Sequence, residues 1–249
     1  MLELENVGLT LSGREILKNV SLAVPRGGIT VLLGKNGSGK SSLFRAVGRE
    51  LPCSGTIRLD GTDIALLPPR ERARRIAILP QILPTVAFTV EGLVALGRTP
   101  HLGLLSHPSA EDTIAVADAI AAVGLAHRKE DRLTALSGGE RQRAFLAMTL
   151  SQGAELLLLD EPTTYLDTAS RRELLTLIKA LTEEQGKSAF LILHDPNDAI
   201  RLADRLILLE AGRVAFRGSP SEFVGEGLPE RHFGLTRHEV KEEAFPFYY

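Results

Sequence analysis

Apolar residues follow two different patterns in the segments predicted to be strands. Near alternation between residues 2 and 24 is typical of half-buried antiparallel strands. Largely apolar runs, typical of strands buried on both faces of a parallel sheet, cover residues 29–33, 76–79, 156–159, 189–193 and 205–209. A further strand and turn is expected over residues 55–61. The pattern therefore predicts an α/β fold with a mostly parallel sheet, preceded by an antiparallel sheet.

Helical periodicity is concentrated between residues 89 and 150. Its clearest segment, residues 109–123, opens with a capping pattern formed by Ser109 and Asp112. Other helices are predicted over residues 42–47, 69–75 and 169–184. The chain shows no internal repeat and no low-complexity linker. We therefore expect one domain with an α-helical insertion.

Composition and charge narrow the class of protein. A chain of 249 residues with 44% apolar residues can bury a substantial core, which excludes disorder as its main state. With 29 basic and 31 acidic residues, the chain has no large positive net charge that would attract nucleic acid or an anionic membrane. The single cysteine, Cys53, cannot form an internal disulfide. Acidic residues near Met1 and the lack of a run of about eighteen apolar residues predict a soluble cytosolic protein.

The segment from Gly34 to Ser41 fits the phosphate-binding pattern G-x-x-x-x-G-K-[ST] at every fixed position. A predicted strand precedes it and a predicted helix follows it, which disfavours the alternative of a plain glycine-rich turn. Its glycines allow successive N–H groups to face an anion, Lys40 adds a positive charge, and Ser41 offers an oxygen to Mg²⁺. The predicted nucleotide-binding residues are Gly34, Lys35, Asn36, Gly37, Ser38, Gly39, Lys40, Ser41 and Ser42.

Two carboxylates, Asp160 and Glu161, follow the apolar run 156–159. Open α/β sheets bind ligands at the carboxyl ends of their strands. Asp160 is a candidate to hold Mg²⁺ directly or through water, and Glu161 to deprotonate a water that attacks a γ-phosphate. An apolar strand that ends in two acids is, by itself, equally consistent with a strand-terminating turn. The upstream phosphate loop favours the functional interpretation.

Residues 136–143, LSGGERQR, predict a second exposed helix N-terminus. Ser137 and Glu140 form a capping box, and two glycines leave N–H groups and the helix dipole open to an anion. This segment, between a phosphate loop and LLLLDEP, resembles the ATP-binding-cassette (ABC) family of ATPases, and the resemblance covers nearly the whole chain. It implies a P-loop NTPase core and ATP hydrolysis. It also implies that the signature residues are Leu136, Ser137, Gly138, Gly139 and Glu140.

The resemblance implies roles for further residues. Gln81 matches the Q-loop glutamine that senses Mg²⁺ and the attacking water. Leu166 and Asp167 match the D-loop, and His194 matches the switch histidine that contacts the γ-phosphate. Taken alone, His194 would more often be a hydrogen-bonded residue at a strand end. The implied catalytic residues are Glu161, His194 and Gln81, and the implied Mg²⁺ ligands are Ser41, Gln81 and Asp160.

The resemblance also implies partners and a domain organisation. A head-to-tail homodimer would sandwich two ATP molecules, with Ser137 and Gly138 of one subunit completing the site at Lys40 of the other. Transmembrane permease subunits would bind the dimer, and a periplasmic or lipid-anchored substrate-binding protein would act indirectly; no nucleic acid partner is expected. The expected location is cytoplasmic, peripheral on the inner face of the cell membrane.

The predicted parts of the chain are a nucleotide-binding core (1–85 and 151–227), a helical signature subdomain (86–150) and a C-terminal tail (228–249).

One position departs from the family pattern. The family usually places an aromatic residue shortly before the phosphate loop, where it stacks on adenine, and alignment of residues 12–17 puts Leu11 there. Leucine covers a base by apolar contact without π-stacking. Weaker base preference and appreciable use of GTP as well as ATP are therefore expected.

Two segments bear on the transported substrate. Residues 68–81 and 87–101 resemble the corresponding segments of importers for iron–siderophore, haem and cobalamin complexes. Molybdate importers share much of this pattern and remain an alternative. A nontransport ABC ATPase acting on nucleic acid or the ribosome is a second alternative. The first kind is disfavoured because the heptads of its usual coiled-coil insertion are absent, and the second because such members usually carry two cassettes. The aromatic tail, residues 245–249, is expected to dock onto the body of the protein.

Overall fold

The computed structural model describes residues 1–84, 87–103, 107–238 and 247–248. The chain forms two compact units. The first contains Met1–Ala65 and Phe190–Tyr249, and the second contains Leu66–Ala189. The three-part division of the chain predicted from the sequence stays a prediction.

The strands are β1 (Leu2–Leu11), β2 (Arg14–Val24), β3 (Gly28–Leu33), β4 (Ser54–Leu59), β5 (Thr62–Asp63), β6 (Ile76–Leu79), β7 (Leu156–Asp160), β8 (Ser188–Ile192), β9 (Arg205–Glu210), β10 (Arg213–Gly218), β11 (Arg237–His238) and β12 (Phe247–Tyr248). The α-helices are α1 (Lys40–Val47), α2 (Pro69–Arg75), α3 (Val90–Leu96), α4 (Ala110–Ala122), α5 (Gly138–Ser151), α6 (Thr168–Gln185), α7 (Pro196–Leu202), α8 (Pro220–Gly225) and α9 (Leu228–Phe233). Single 3₁₀ turns cover Ala126–Arg128 and Leu133–Ala135.

An antiparallel sheet of order β2-β1-β4-β5 opens the first unit. Leu2 pairs with Val24, and Leu11 pairs with Arg14 at the turn. Ser12 and Gly13 form that turn with φ of 48° and 77°, the left-handed geometry that two-residue hairpin turns require. The antiparallel sheet expected from the near alternation of residues 2–24 is confirmed.

A second sheet of the first unit has the order β10-β9-β3-β8. Strands β3 and β9 are parallel, with Leu33 opposite Leu208, whereas β10 returns antiparallel to β9. Phe44 of α1 packs against Phe190 of β8, with ring centroids 4.8 Å apart. Since β3 is buried almost throughout, its continuous apolar sequence matches its surroundings.

The second unit joins a pair of parallel strands to a group of helices. Strands β6 and β7 pair in register, with Leu79 opposite Leu159. Helices α3, α4 and α5 pack against one another through apolar faces. Ser109 and Asp112 form the predicted capping box at the start of α4. The expected helical region is therefore confirmed.

A buried ion pair connects the three helices of the second unit. Arg98, just after α3, donates from Nε to Asp112 Oδ1 of α4 at 2.8 Å and from Nη1 to the Ser151 carbonyl of α5 at 2.8 Å. The Asp112 carboxylate also accepts the backbone N–H of Ser109. This backbone hydrogen bond, together with the Arg98 side chain, lowers the pKa of Asp112 from 3.8 to about 2. One arginine therefore fixes the ends of three helices.

The C-terminal segment of the first unit is partly described. Helix α9 ends at Gly234, whose φ of 68° is typical of a left-handed cap. Beyond it, β11 pairs antiparallel with β12. The predicted docking of the aromatic tail concerns side chains that lie outside the described residues. Within the described ranges, no helix is long and apolar enough to cross a membrane.

Candidate functional site

The first unit carries the predicted phosphate loop between β3 and α1. A β-carbon at Gly34 would lie 2.3 Å from the Leu209 carbonyl oxygen, so only glycine fits there. Gly39 precedes α1 with φ of 105° and supplies no side-chain cap, which leaves the helix N-terminus open to an anion. Among the described residues, the buried Ser38 Oγ has no hydrogen-bond partner. A buried hydroxyl without a hydrogen-bond partner is a candidate phosphate ligand.

Lys40 is the first residue of α1 and is almost completely buried. Its Nζ donates to the Gly34 carbonyl at 2.7 Å and to the Lys35 carbonyl at 3.2 Å. The ammonium group is therefore bound to the backbone at the start of the loop. This geometry places a full positive charge beside the predicted phosphate site.

His194 also belongs to the first unit and follows β8. The N–H of Leu193 lies 3.4 Å from the Leu32 carbonyl, so the ends of β8 and β3 lie side by side. His194 is exposed, and Asp195 caps α7 by accepting the N–H of Asn197 at 2.9 Å. His194 and the phosphate loop thus emerge at the same edge of the sheet, as parallel strands require.

The second unit brings Gln81 and Glu161 into direct contact. Each residue lies two positions beyond a paired residue of β6 or β7, Leu79 and Leu159. The Gln81 amide Nε2 donates to Glu161 Oε2 in a short hydrogen bond. Thr164 Oγ1 donates to the same oxygen at 3.2 Å. Two donors therefore fix the orientation of this carboxylate, and Thr164 is a site residue that sequence analysis missed.

Glu161 combines burial with an uncommon backbone conformation. Its exposed fraction is 6%, and its φ is 50°, in the left-handed region that glutamate rarely adopts. Asp160, the last residue of β7, has an exposed fraction of 8%. Backbone strain of this kind is concentrated at functional sites, where it directs a side chain. Asp160 and Glu161 are the predicted acids, and both lie at the carboxyl end of the strand.

The predicted signature segment begins α5. Ser137 Oγ accepts the Glu140 N–H at 3.3 Å, and a Glu140 carboxylate oxygen accepts the Ser137 N–H at 2.8 Å. The predicted capping box is therefore confirmed. The hydrogen bond from the Ser137 N–H to the carboxylate, followed by the one from the Ser137 side chain, lowers the pKa of Glu140. Arg128 Nη1 lies 3.1 Å from Glu140 Oε1, a contact that the sequence did not reveal.

The two signature glycines have different surroundings. A β-carbon at Gly139 would lie 3.3 Å from Ser170 Oγ, at the start of α6. At Gly138 a β-carbon would meet no atom of the described residues within 4 Å. The first turn of α5 is thus packed on one side and open on the other.

The predicted D-loop residues lead into α6. Asp167 caps that helix by accepting the Ser170 N–H at 2.8 Å, and this backbone hydrogen bond lowers the Asp167 pKa. Tyr165, two residues earlier, has φ of 66° and an exposed fraction of 93%. The predicted D-loop therefore has a fixed end at Asp167 and an exposed aromatic side chain before it.

The predicted Mg²⁺ ligands supply a hydroxyl, an amide oxygen and a carboxylate, all of them oxygen donors suited to a hard cation. Ser41 lies in the first unit, whereas Gln81 and Asp160 lie in the second. Among the described residues, no group of three or more His, Cys, Asp or Glu side chains could hold a metal ion.

A comparison with protein-family models identifies the family. The model described as "ABC transporter" matches residues 17–164, more than half of the chain. This chain belongs to the ABC transporter family. The match spans the phosphate loop, Gln81, the signature segment and the Asp160–Glu161 pair. The predicted ABC ATPase fold and the predicted enzyme class, an ATPase, are confirmed.

Individual relatives agree with this family. The ferric enterobactin transport ATP-binding protein FepC of Escherichia coli is 41% identical over 222 residues, covering 88% of this chain and 82% of FepC. The hemin import ATP-binding protein HmuV of Shewanella denitrificans is 39% identical over 255 residues, covering 99% of each chain. Among solved structures, a dimeric ATP-binding cassette in a post-hydrolysis state, with ADP and Pi bound, superposes with a TM-score of 0.75. That cassette is 25% identical, with 88% of this ABC chain and 99% of the cassette covered.

Proposed function

We propose that this chain is the ATP-hydrolysing subunit of a membrane importer for a metal chelate of the iron–siderophore, haem or cobalamin type. The main support for ATP hydrolysis is the buried Glu161 carboxylate, which accepts hydrogen bonds from Gln81 and Thr164 at the carboxyl end of β7. The proposed role in an importer is supported by the similarity to FepC and HmuV, whose names state transport of ferric enterobactin and import of hemin. Molybdate is the alternative cargo, and the experiment below distinguishes all four.

The proposed chemistry assigns a role to each predicted site residue. Lys40, Ser38 and the open N-terminus of α1 bind the phosphates of ATP. Ser41, Gln81 and Asp160 would hold Mg²⁺, which neutralises charge on the β- and γ-phosphates. Glu161 accepts the proton of the attacking water, because its carboxylate is buried and oriented by two donors. His194 contacts the γ-phosphate.

A second copy of the chain completes the proposed site. Gly138 has an open face at the start of α5, beside the capping box formed by Ser137 and Glu140. In the proposed dimer this helix start binds the γ-phosphate at Lys40 of the other subunit. The D-loop residues Leu166 and Asp167 lie across the interface. The dimeric cassette with ADP and Pi supports this arrangement.

The proposed permease contact consists of exposed apolar side chains of the second unit. We call these side chains together the apolar surface; they are Leu66 (80% exposed), Ile82 (79%), Phe88 (42%) and Leu96 (45%). Exposed apolar residues near functional segments are typical of binding surfaces. Ile82 directly follows Gln81, so a helix bound there would be linked to the catalytic contact of Gln81 with Glu161. We therefore place the protein on the cytoplasmic face of the membrane, with a substrate-binding protein acting through the permease.

Co-purification tests the transport function. The tagged full chain, isolated from detergent-solubilised cells, is expected to bring with it a membrane protein with many predicted helices, identified by mass spectrometry. Ile82→Asp should lose this partner because it places a charge within the apolar surface. Ile114→Asp is the matched control, since Ile114 is 60% exposed on α4 and lies outside that surface.

The proteins that co-purify distinguish the alternative cargoes and functions. A co-purifying binding protein would then be titrated with iron–siderophore complexes, haem, cobalamin and molybdate, and tight binding of one identifies the cargo. Recovery of only soluble partners or nucleic acid, with ATPase activity that responds to them, would contradict the transport function and favour a nontransport ATPase.

Base preference gives a further prediction. Leu11, at the end of β1, provides apolar contact but no π-stacking at the position where the family usually has an aromatic residue. We expect the purified chain to hydrolyse GTP at a rate within about tenfold of ATP, because apolar contact does not distinguish the two purines. Phosphate release with each nucleotide measures this ratio. A preference for ATP of a hundredfold or more would contradict the prediction.

A further inference from the structure

A pocket of about 260 Å³ lies beside the tip of the phosphate loop in the first unit. Residues 35–38 of the loop form one side, and Arg14 and the end of β9 form others. The remaining side comes from His232 and Phe233, the last two residues of α9. A larger cavity, about 580 Å³, is lined by parts of β2, β10 and α8 and contains none of the predicted nucleotide-binding residues. Proximity to the phosphate loop therefore singles out the smaller pocket.

The position of Phe233 is fixed by the surroundings of α9. His232 Nδ1 lies 3.3 Å from Glu210 Oε1 at the end of β9. Gly227 and Gly234, with φ of 66° and 68°, stand at the two ends of the helix. The Gly234 N–H donates to the Glu230 carbonyl at 3.0 Å, so the chain turns away directly after Phe233. The ring stays partly exposed at the pocket.

The hairpin that contributes Arg14 is the one that lacks an aromatic residue. Leu11 and Arg14 are paired across the β1–β2 turn, so Leu11 occupies the aromatic position on the same hairpin end. The chain thus lacks a ring on the hairpin and has one on α9, beside the same phosphate loop. A pocket below about 300 Å³ suits a base or a ribose rather than a whole nucleotide.

We propose that Phe233 and Arg14 hold the purine base of the nucleotide whose phosphates bind at the loop containing Lys40. This inference rests on the proposed function. Phe233 stacks on one face of the base, and the planar guanidinium of Arg14 contacts the base from the hairpin side. His232 is a positioning residue that holds the end of α9 against β9. An aromatic ring can stack on any base because each base has a π-face. ATP and GTP should therefore bind with similar affinity.

Calorimetric titration of the full chain with Mg²⁺ tests this proposal, using ATP, GTP and inorganic tripolyphosphate as separate ligands. Phe233→Leu keeps apolar volume but removes the ring, and should weaken ATP and GTP binding by about tenfold. Tripolyphosphate has no base, so its affinity should not change. Phe233→Trp should restore nucleotide binding. Phe216→Leu is the matched control, because Phe216 of β10 is also partly exposed and packs on Phe223, with ring centroids 5.4 Å apart.

The three ligands separate the possible failures. Unchanged ATP affinity in Phe233→Leu would overturn the role of the ring. An equal loss for tripolyphosphate would assign Phe233 to the fold and also overturn the proposal. If the wild-type chain binds neither ATP nor tripolyphosphate, the proposed function fails, and this inference fails with it.

Discussion

Replacing Glu161 by glutamine is expected to reduce ATP turnover by about 10³-fold, the range of a lost general base, and to leave an ATP-bound dimer in place. The amide cannot accept the proton of the attacking water. Its oxygen can still accept the hydrogen bonds that Gln81 and Thr164 donate to the Glu161 carboxylate. Shape and backbone conformation are therefore preserved, including the left-handed φ of residue 161. Binding survives while the chemical step is lost.

Two measurements distinguish loss of chemistry from loss of structure. Phosphate release gives turnover, and size-exclusion chromatography with light scattering gives the mass of the species formed with ATP and Mg²⁺. Glu183→Gln is the matched control, since it removes a carboxylate that is 66% exposed on α6 and should change turnover less than about twofold. A Glu161→Gln variant that hydrolyses ATP near the wild-type rate would reject Glu161 as the base.

Replacing Arg98 by methionine is expected to lower the midpoint of thermal unfolding by about 10 °C. The change leaves the Asp112 carboxylate buried without its guanidinium and removes the bond to the Ser151 carbonyl. Asp112→Asn added to Arg98→Met should recover part of this loss, because the amide is neutral and can still accept the Ser109 N–H. Arg45→Met is the control, since its pair with Glu50 is more than half exposed.

The pH dependence of the same pair provides an independent test. Hydrogen bonds from Ser109 and Arg98 lower the pKa of Asp112 from 3.8 to about 2. Because the folded-state pKa is the lower one, this group stabilises the fold above pH 3.8 and loses that contribution as the pH falls towards 2. Wild type and Arg98→Met should therefore differ most in unfolding midpoint at neutral pH, and converge as the pH approaches 2. An undiminished difference at pH 2 would contradict this role of Asp112.

The sequence predicted local features well where the physical cause is itself local. The glycines of residues 34–39 are needed for the backbone geometry of the loop and for close approach of neighbouring atoms. The phosphate loop can therefore be recognised from the sequence. The capping boxes of α4 and α5 join residues three positions apart, and the structure contains both. The apolar runs that became β3, β7 and β9 are buried almost throughout, so their pattern alone identified them.

Elements with weaker patterns were not predicted. In β10, half-buried side chains alternate with charged or small exposed ones, and its pairing with β9 makes it a strand. Helix α2 has seven residues and was predicted, but helices α7, α8 and α9, of six or seven residues, were not. Their apolar residues are buried because neighbouring elements cover them, which no local pattern records.

The sequence by itself determined the phosphate loop, the signature cap, the acids at the end of β7 and the ABC family, because each depends on residues that are neighbours in the chain. Tertiary structure alone decided which distant groups meet. The contact of Gln81 with Glu161 joins residues 80 positions apart, and the bond from Arg98 to Ser151 spans 53 positions. The pocket between Arg14, the phosphate loop and Phe233 joins both ends of the chain. Such pairings follow from strand register and helix packing, and the free energy that selects them is spread over the whole core.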